Sequence, residues 1–266
     1  RAKIGCSIGR ARSPSVLRWG SRFCKGGSHW HDLREGNDMG RIELSIYTPR
    51  YVRTGNEVSV IETSKGTVRA ELFGLETPVT VGNFVELAAK GFYDNLKFHA
   101  RKEGSVVVGG CPVTRSMGPA QVLAAVKGVI RGMHPGTGDA RYTISDEWGS
   151  NPKNIHRLGS LCMAHKSAPN SGSCQFYFSL GEQPEYDDRY TVFGQVVEGI
   201  DVVERLAIGD AVKGIAIEGA DEEALASAIA QETPRPPSPR EAMAELERQR
   251  AEREAAKAAE TVESAE

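Results

Sequence analysis

Between Glu57 and Glu218 the chain is a succession of short runs in which apolar and polar residues alternate, each closed by glycine, proline or a small polar residue. Nothing else in the sequence limits the fold so tightly. Alternation at a period of two is the strand signature. Many short strands at close spacing bury their apolar faces best by curling one sheet into a closed antiparallel barrel, which also removes exposed edges. "EVSVIETSKGTVRAELF" reads as a hairpin, two alternating runs around Ser64, Lys65 and Gly66. "LGSLCMAH", "CQFYFSL", "YTVFGQVVEG" and "VKGIAIEG" read as further strands. Two stretches have a helical period instead. In "TPVTVGNFVELAAKGFY" Thr77 is placed to cap, Pro78 suits the first turn, Val81, Phe84, Val85 and Leu87 share one face, and Gly91 closes the helix. "IDVVERLAI" is a second, shorter helix.

The flanks differ in character. Residues 1–40 form a basic extension, with seven cations and no acid from Arg1 to Trp30. Three readings stand for it: an organelle-targeting segment, a basic arm docking on an acidic or RNA surface, and plain disorder. Residues 41–57 hold a short strand, "RIELSIY", with Ile42, Leu44 and Ile46 on one face, followed by a linker. Residues 220–266 form a helical and proline-rich tail: a helix in "DEEALASAIA", an extended break in "ETPRPPSPR", and a helix opening with a capping box from Ser238 to Glu241. The apolar face of that last helix is thin, so it reads as solvated or as a docking element for a larger partner. A net charge of -2 over 266 residues argues against a general nucleic-acid or membrane-surface binder. No apolar run is long enough for a membrane span. Five scattered cysteines without a paired framework read as reduced thiols, and structural zinc would want four clustered ligands.

Taken together, "GTVRAELF", "TPVTVGNFVELAAKGFYDNLKFH", "VVVGGCP", "PGTGDARYTISDEW", "LGSLCMAH", "PNSGSCQFYF" and "YTVFGQVVEGIDVV" resemble the cyclophilin-type peptidyl-prolyl cis-trans isomerases. The resemblance covers residues 58–219. It implies a mainly β fold, an eight-stranded antiparallel barrel capped by two helices, with a substrate groove on its outer face. It also implies rotation about X-Pro bonds, whose uncatalysed barrier is roughly 18–20 kcal/mol because resonance keeps the amide planar. Such a reaction needs no metal or cofactor. It needs an apolar cradle for the proline ring and donors that favour the twisted amide, chiefly an arginine, with a glutamine on the carbonyl side.

Carried over residue by residue, the pattern is mixed. His99 matches the family histidine, but the arginine expected next is Ala100, and the spacing to Gly104 leaves no room to move Arg101 into register. A one-residue step along a strand reverses the face, so Arg101 is expected to point away. Ser105 stands for the pocket phenylalanine, Val106 for the next apolar residue, Val108 for a glutamine and Cys111 for an aspartate. Across the groove Ala164 and Gln175 are kept, His165 replaces an asparagine, and Tyr177, Tyr186 and Tyr190 replace a phenylalanine, a leucine and a histidine. The candidate catalytic residues are His99, Gln175 and Arg101. The candidate substrate-binding residues are Val106, Val108, Ala164, His165, Tyr177, Tyr186 and Tyr190.

Between Pro112 and Pro135 an insertion carries a helix near 119–132, with Val122, Leu123, Val126, Val129 and Ile130 on one face, bordering or crossing the groove. Losing one donor of transition-state charge typically costs about 2.7–4 kcal/mol. The resulting expectation is a family member with a degraded isomerase site that binds proline-containing polypeptides or serves as an accessory subunit of a larger organellar assembly. A mitochondrial location is preferred to a plastid or the cytoplasm, and nucleic acid enters only through the basic N-terminus. The alternative is an active isomerase that assists protein folding.

Overall fold

The alternating runs form eight strands in a computed structural model that describes residues 45–231. The basic extension, Ile42 and Leu44, the proline-rich break and the last predicted helix lie outside the described residues. The strands are β1 (Val58–Thr63), β2 (Gly66–Leu72), β3 (Ala100–Lys102), β4 (Val106–Gly109), β5 (Ser160–Met163), β6 (Phe176–Ser179), β7 (Val192–Glu198) and β8 (Val212–Glu218). They make one antiparallel sheet in the order β3-β4-β6-β5-β7-β2-β1-β8, curled into a half-barrel. The end strands β3 and β8 approach through the residues that precede them. Phe98 N–H donates to Asp210 O at 2.9 Å, Gly209 N–H to Phe98 O at 2.8 Å, and Val212 N–H to Leu96 O at 2.8 Å.

Alternation places one side of each strand in the interior. Ile61, Val68, Ala70, Leu72, Val107, Leu161, Phe176, Phe178 and Phe193 are buried in one cluster with Phe84, Tyr93 and Phe98. Phe84 meets Phe176 edge-on at 5.8 Å, a favoured aromatic geometry.

Helix α1 (Pro78–Ala89) buries Val81, Phe84, Val85 and Leu87 as its periodicity predicts, and Gly91, at φ +64°, follows its end. Its cap differs from expectation. Thr77 Oγ1 donates back to Phe73 O at 2.9 Å, and the orphan amides go to Glu147, which accepts from Val79 N–H at 3.0 Å and Thr80 N–H at 2.8 Å. A carboxylate there also complements the helix dipole. The inserted helix α2 (Pro119–Val126) is shorter than predicted, because the chain turns at Gly128, φ +73°. Val122 and Ala125 pack with Met117, Val113, Val126, Ile130 and Ile208, a cluster separate from the groove residues described below. Leu123 and Val129, expected on the same face, are exposed. Two further helices follow, α3 (Ile200–Arg205) and α4 (Glu222–Ala230). The second is capped by Asp221, whose carboxylate accepts from Ala224 N–H at 3.0 Å.

Residues 45–57 are a strap across this body. Only Ile46 forms a bridge, with Thr143, and it is exposed while Tyr47 is buried, the reverse of the predicted face. The reason is a buried carboxylate on α1. Glu86 accepts from Tyr47 O–H at 2.6 Å, Arg50 N–H at 2.6 Å and Tyr51 N–H at 2.8 Å. Glu57 gathers the next turn, accepting from Tyr51 O–H at 3.0 Å and Gly55 N–H at 2.9 Å. Hydrogen bonds to a buried charge are worth about 1.5–3 kcal/mol each, and stranded donors cost similarly. Glu86→Ala is therefore expected to lower unfolding stability by at least ~3 kcal/mol in denaturant titrations. It should also abolish amide-exchange protection at Arg50 and Tyr51 first, while β4 and β6 stay protected.

Candidate functional site

The ladder between β3 and β4 decides which side chains reach the outer face. Its partners are Ala100 with Val108, Arg101 with Val107, and Lys102 with Val106, without a bulge. Directly opposed residues share a face. Val107 is buried in the interior cluster, whereas Val106 and Val108 belong to a second cluster on the other side. Ala100 is thus the residue on the outer face, and Arg101 lies on the opposite one. The Arg101 guanidinium is engaged there: Nε donates to Glu103 Oε2 at 3.0 Å and Nη1 to Leu206 O at 2.5 Å.

The second cluster is an apolar patch on the outer side of the sheet, where the family resemblance expects the substrate groove. Phe73, Val106, Cys162, Tyr177 and Val192 are its buried floor, with Val108, Ala164, Tyr186 and Tyr190 half-buried around it. The sequence candidates Val106, Val108, Ala164, Tyr177, Tyr186 and Tyr190 therefore come together from β4, β5, β6 and the segment before β7. The tyrosines pack edge to face, Tyr186 against Tyr190 at 5.4 Å and Tyr177 against Tyr190 at 6.0 Å. His165 stacks on Tyr190 at 4.4 Å, and both its ring nitrogens face backbone carbonyls, of Lys166 and Arg189, at 2.5 Å. Ser105 is buried, and its hydroxyl donates to Gln183 Oε1 at 3.0 Å.

His99 and Gln175 lie beside the loop 136–138. Burial pulls the His99 pKa down to about 4, so the ring is neutral at pH 7, and its buried Nδ1 has no hydrogen-bond partner among the described residues. Gln175 Nε2 donates to Gly136 O at 2.9 Å and Gly138 O at 2.7 Å, while Gly136 N–H donates to the Cys111 sulfur at 3.1 Å. Gln175 thus holds the loop 136–138, and the His99 ring lies against Gly136. A cavity of about 80 Å³ opens between that loop, Gln175, Ala164 and His165.

Sequence reasoning missed His156 and Asp187. Asp187 Oδ1 accepts from His156 N–H at 2.7 Å and from its ring Nδ1–H at 2.8 Å, and His156 Nε2 lies 2.9 Å from Tyr177 O–H. The His156 side chain is fully buried, and burial lowers its pKa more than Asp187 raises it. The ring is therefore neutral, with Nδ1 protonated and Nε2 accepting from Tyr177. That fixes the Tyr177 hydroxyl inward and presents its ring to the groove. The partners are 21 and 31 residues apart, and no local pattern joins them. A tyrosine where the family pattern has phenylalanine was the one available sign that a buried acceptor exists.

A family model described as "Cyclophilin type peptidyl-prolyl cis-trans isomerase/CLD" matches residues 58–223. The chain belongs to the cyclophilin family. A peptidyl-prolyl cis-trans isomerase of Helicobacter pylori is 35% identical over 159 residues, 59% of this chain and 84% of its own. Peptidyl-prolyl cis-trans isomerase B of Bacillus subtilis is 36% identical over 152 residues, 57% of this chain and 91% of its own. A Cryptosporidium parvum cyclophilin, crystallised in the presence of the dipeptide Ala-Pro, superposes with a TM-score of 0.48 at 26% identity, over 61% of this chain and 99% of that one. The outer face of β3 carries the methyl group of Ala100, and the Arg101 guanidinium lies on the other side.

Two outcomes are expected from this geometry. Tyr177→Phe strands the His156 acceptor and is expected to cost about 1–3 kcal/mol. In a double-mutant cycle with His156→Leu the costs should be strongly non-additive, whereas additive costs would mean the pair is not coupled. For pH, the folded His99 pKa near 4 lies below the unfolded value of about 6.5. The unfolded state then binds the extra proton, so the stability contribution is intact above pH 6.5 and is lost as pH falls toward 4, by about 3 kcal/mol. His99→Gln should flatten that part of the stability–pH curve.

Proposed function

We propose that this cyclophilin binds proline-containing polypeptide in the tyrosine-lined groove but is a poor isomerase, and that it works as an accessory component of a larger assembly. The observation that carries this reading is the β3–β4 register, which puts Ala100 on the groove face and fastens Arg101 to Glu103 and the Leu206 carbonyl on the other. An apolar floor from Val106, Tyr177 and Val192 offers a proline ring a place to rest. Binding and rotation are separable. Only interactions stronger with the half-rotated amide than with the planar one accelerate the step, and an apolar floor holds both alike. The donor that distinguishes them in the family is replaced by a methyl group, and Gln175 spends its amide N–H groups on the loop 136–138. An organellar, mitochondrial site of action is part of the same proposal. It rests on the basic, acid-free composition of residues 1–30.

The test is peptide binding and turnover measured on the same full chain. A succinyl-Ala-Ala-Pro-Phe anilide is expected to bind, with isomerisation at least about 100-fold slower than that of an ordinary family member assayed beside it, the loss expected for one missing donor. Ala100→Arg should raise turnover at least about ten-fold with little change in affinity. Turnover matching the ordinary member would favour the active folding isomerase and overturn the proposal, as would failure to bind the peptide.

A further inference from the structure

One wall of the groove is acidic. The segment from Glu182 to Tyr190 brings Tyr186 and Tyr190 to the groove and carries Glu182, Glu185, Asp187 and Asp188 against one cation, Arg189. Asp187 is occupied by His156. Glu182, Glu185 and Asp188 are exposed and make no ion pair among the described residues. The segment that brings Tyr186 and Tyr190 to the groove therefore also carries three exposed carboxylates that make no ion pair among the described residues. The ligand that suits both features is a proline-rich strand bearing positive charge.

The chain itself contains one. Residues 233–240, "TPRPPSPR", hold four prolines and two arginines and no acid. They follow α4 almost directly. We propose that this segment is a ligand of the groove in its own chain, its prolines on Tyr186 and Tyr190 and Arg235 and Arg240 on the acidic wall. The inference rests on the groove being a prolyl-peptide site.

Three arguments support it. Proline-rich segments adopt an extended helix without internal hydrogen bonds, so they bind aromatic grooves at a small ordering cost. Opposite charges steer and hold the segment, with a strength that salt screens. A tethered segment also meets its site at an effective concentration near the millimolar range, so weak intrinsic affinity suffices. The tail leaves the C-terminal end of α4, whose N-terminal end is held to the strap: Asp221 N–H donates to the Tyr51 hydroxyl oxygen at 3.3 Å, and Thr54 Oγ1 donates to Gly219 O at 2.9 Å.

The experiment uses the full chain and a full-chain variant with Pro234, Pro236, Pro237 and Pro239 all changed to alanine. The probe is a labelled synthetic peptide, TPRPPSPR, followed by fluorescence anisotropy, with uncharged acetyl-Ala-Ala-Pro-Phe anilide as a control ligand. The proline-free variant should bind the probe at least ten-fold more tightly than the natural chain, because self-competition is removed. That gain should shrink in high salt and on combining Glu182→Gln, Glu185→Gln and Asp188→Asn, and vanish with Tyr190→Ala. Equal probe binding by both chains, with the control still bound, would overturn the inference and leave the prolyl-peptide reading standing. Binding of neither ligand to either chain would bring down that reading itself. Self-competition that grows with protein concentration would assign the segment to the groove of a second copy and overturn the intrachain form.

Discussion

The groove depends on the two-residue repeat of the β-strand, applied to the three-residue ladder between β3 and β4. Once Val107 is buried among Phe84, Phe98 and Phe178, Val106 and Val108 must face outward, and so must Ala100 opposite Val108. Moving Arg101 to the groove would require β3 to slip by one residue against β4, which stays fixed by its pairing with β6, and would turn its neighbours Ala100 and Lys102 to the inner side. Turning the Lys102 ammonium inward is costly, and Arg101 would also give up its bonds to Glu103 and the Leu206 carbonyl. The core therefore holds the cation away from the groove.

Buried and half-buried carboxylates set the remaining geometry. Glu86 and Glu57 collect donors from the strap, Glu147 caps α1, and Asp187 orients His156 against Tyr177. Glu86, Glu147 and Asp187 join segments far apart in sequence, Glu57 closes a local turn, and each would be costly to leave half satisfied. The groove floor inherits that rigidity. Tyr177 presents an apolar ring because its hydroxyl has a fixed partner behind it, and Ser105 leaves no loose hydroxyl because Gln183 holds it.

What could be read from the sequence follows from this division. Local period and turn chemistry revealed strands β1, β2 and β5 to β8, helix α1 with its closing Gly91, and the short helix α3, because those signals lie within a few residues. The face of Arg101 was also readable, since it needs only strand alternation. Features that depend on distant partners were not. Thr77 has the composition of a cap but yields the role to Glu147, and Ile46 has the pattern of an inward residue but is displaced by Tyr47, which finds Glu86. The insertion was predicted too long because the left-handed turn at Gly128 outweighed the apolar run through Val129 and Ile130. His156 and Asp187 carried no local signal at all.

In the function proposed above, proline recognition and amide rotation come apart: the tyrosine-lined apolar face is the proposed cradle, and Ala100 offers a methyl group on the face where the proposal looks for a strong donor. A crystal structure of the full chain with a bound succinyl-Ala-Ala-Pro-Phe anilide tests this most directly. The account predicts the prolyl ring against Val106, Tyr177 and Tyr190, with the Arg101 guanidinium still on Glu103 and the Leu206 carbonyl. A guanidinium swung round β3 to within hydrogen-bond distance of the prolyl amide would contradict it.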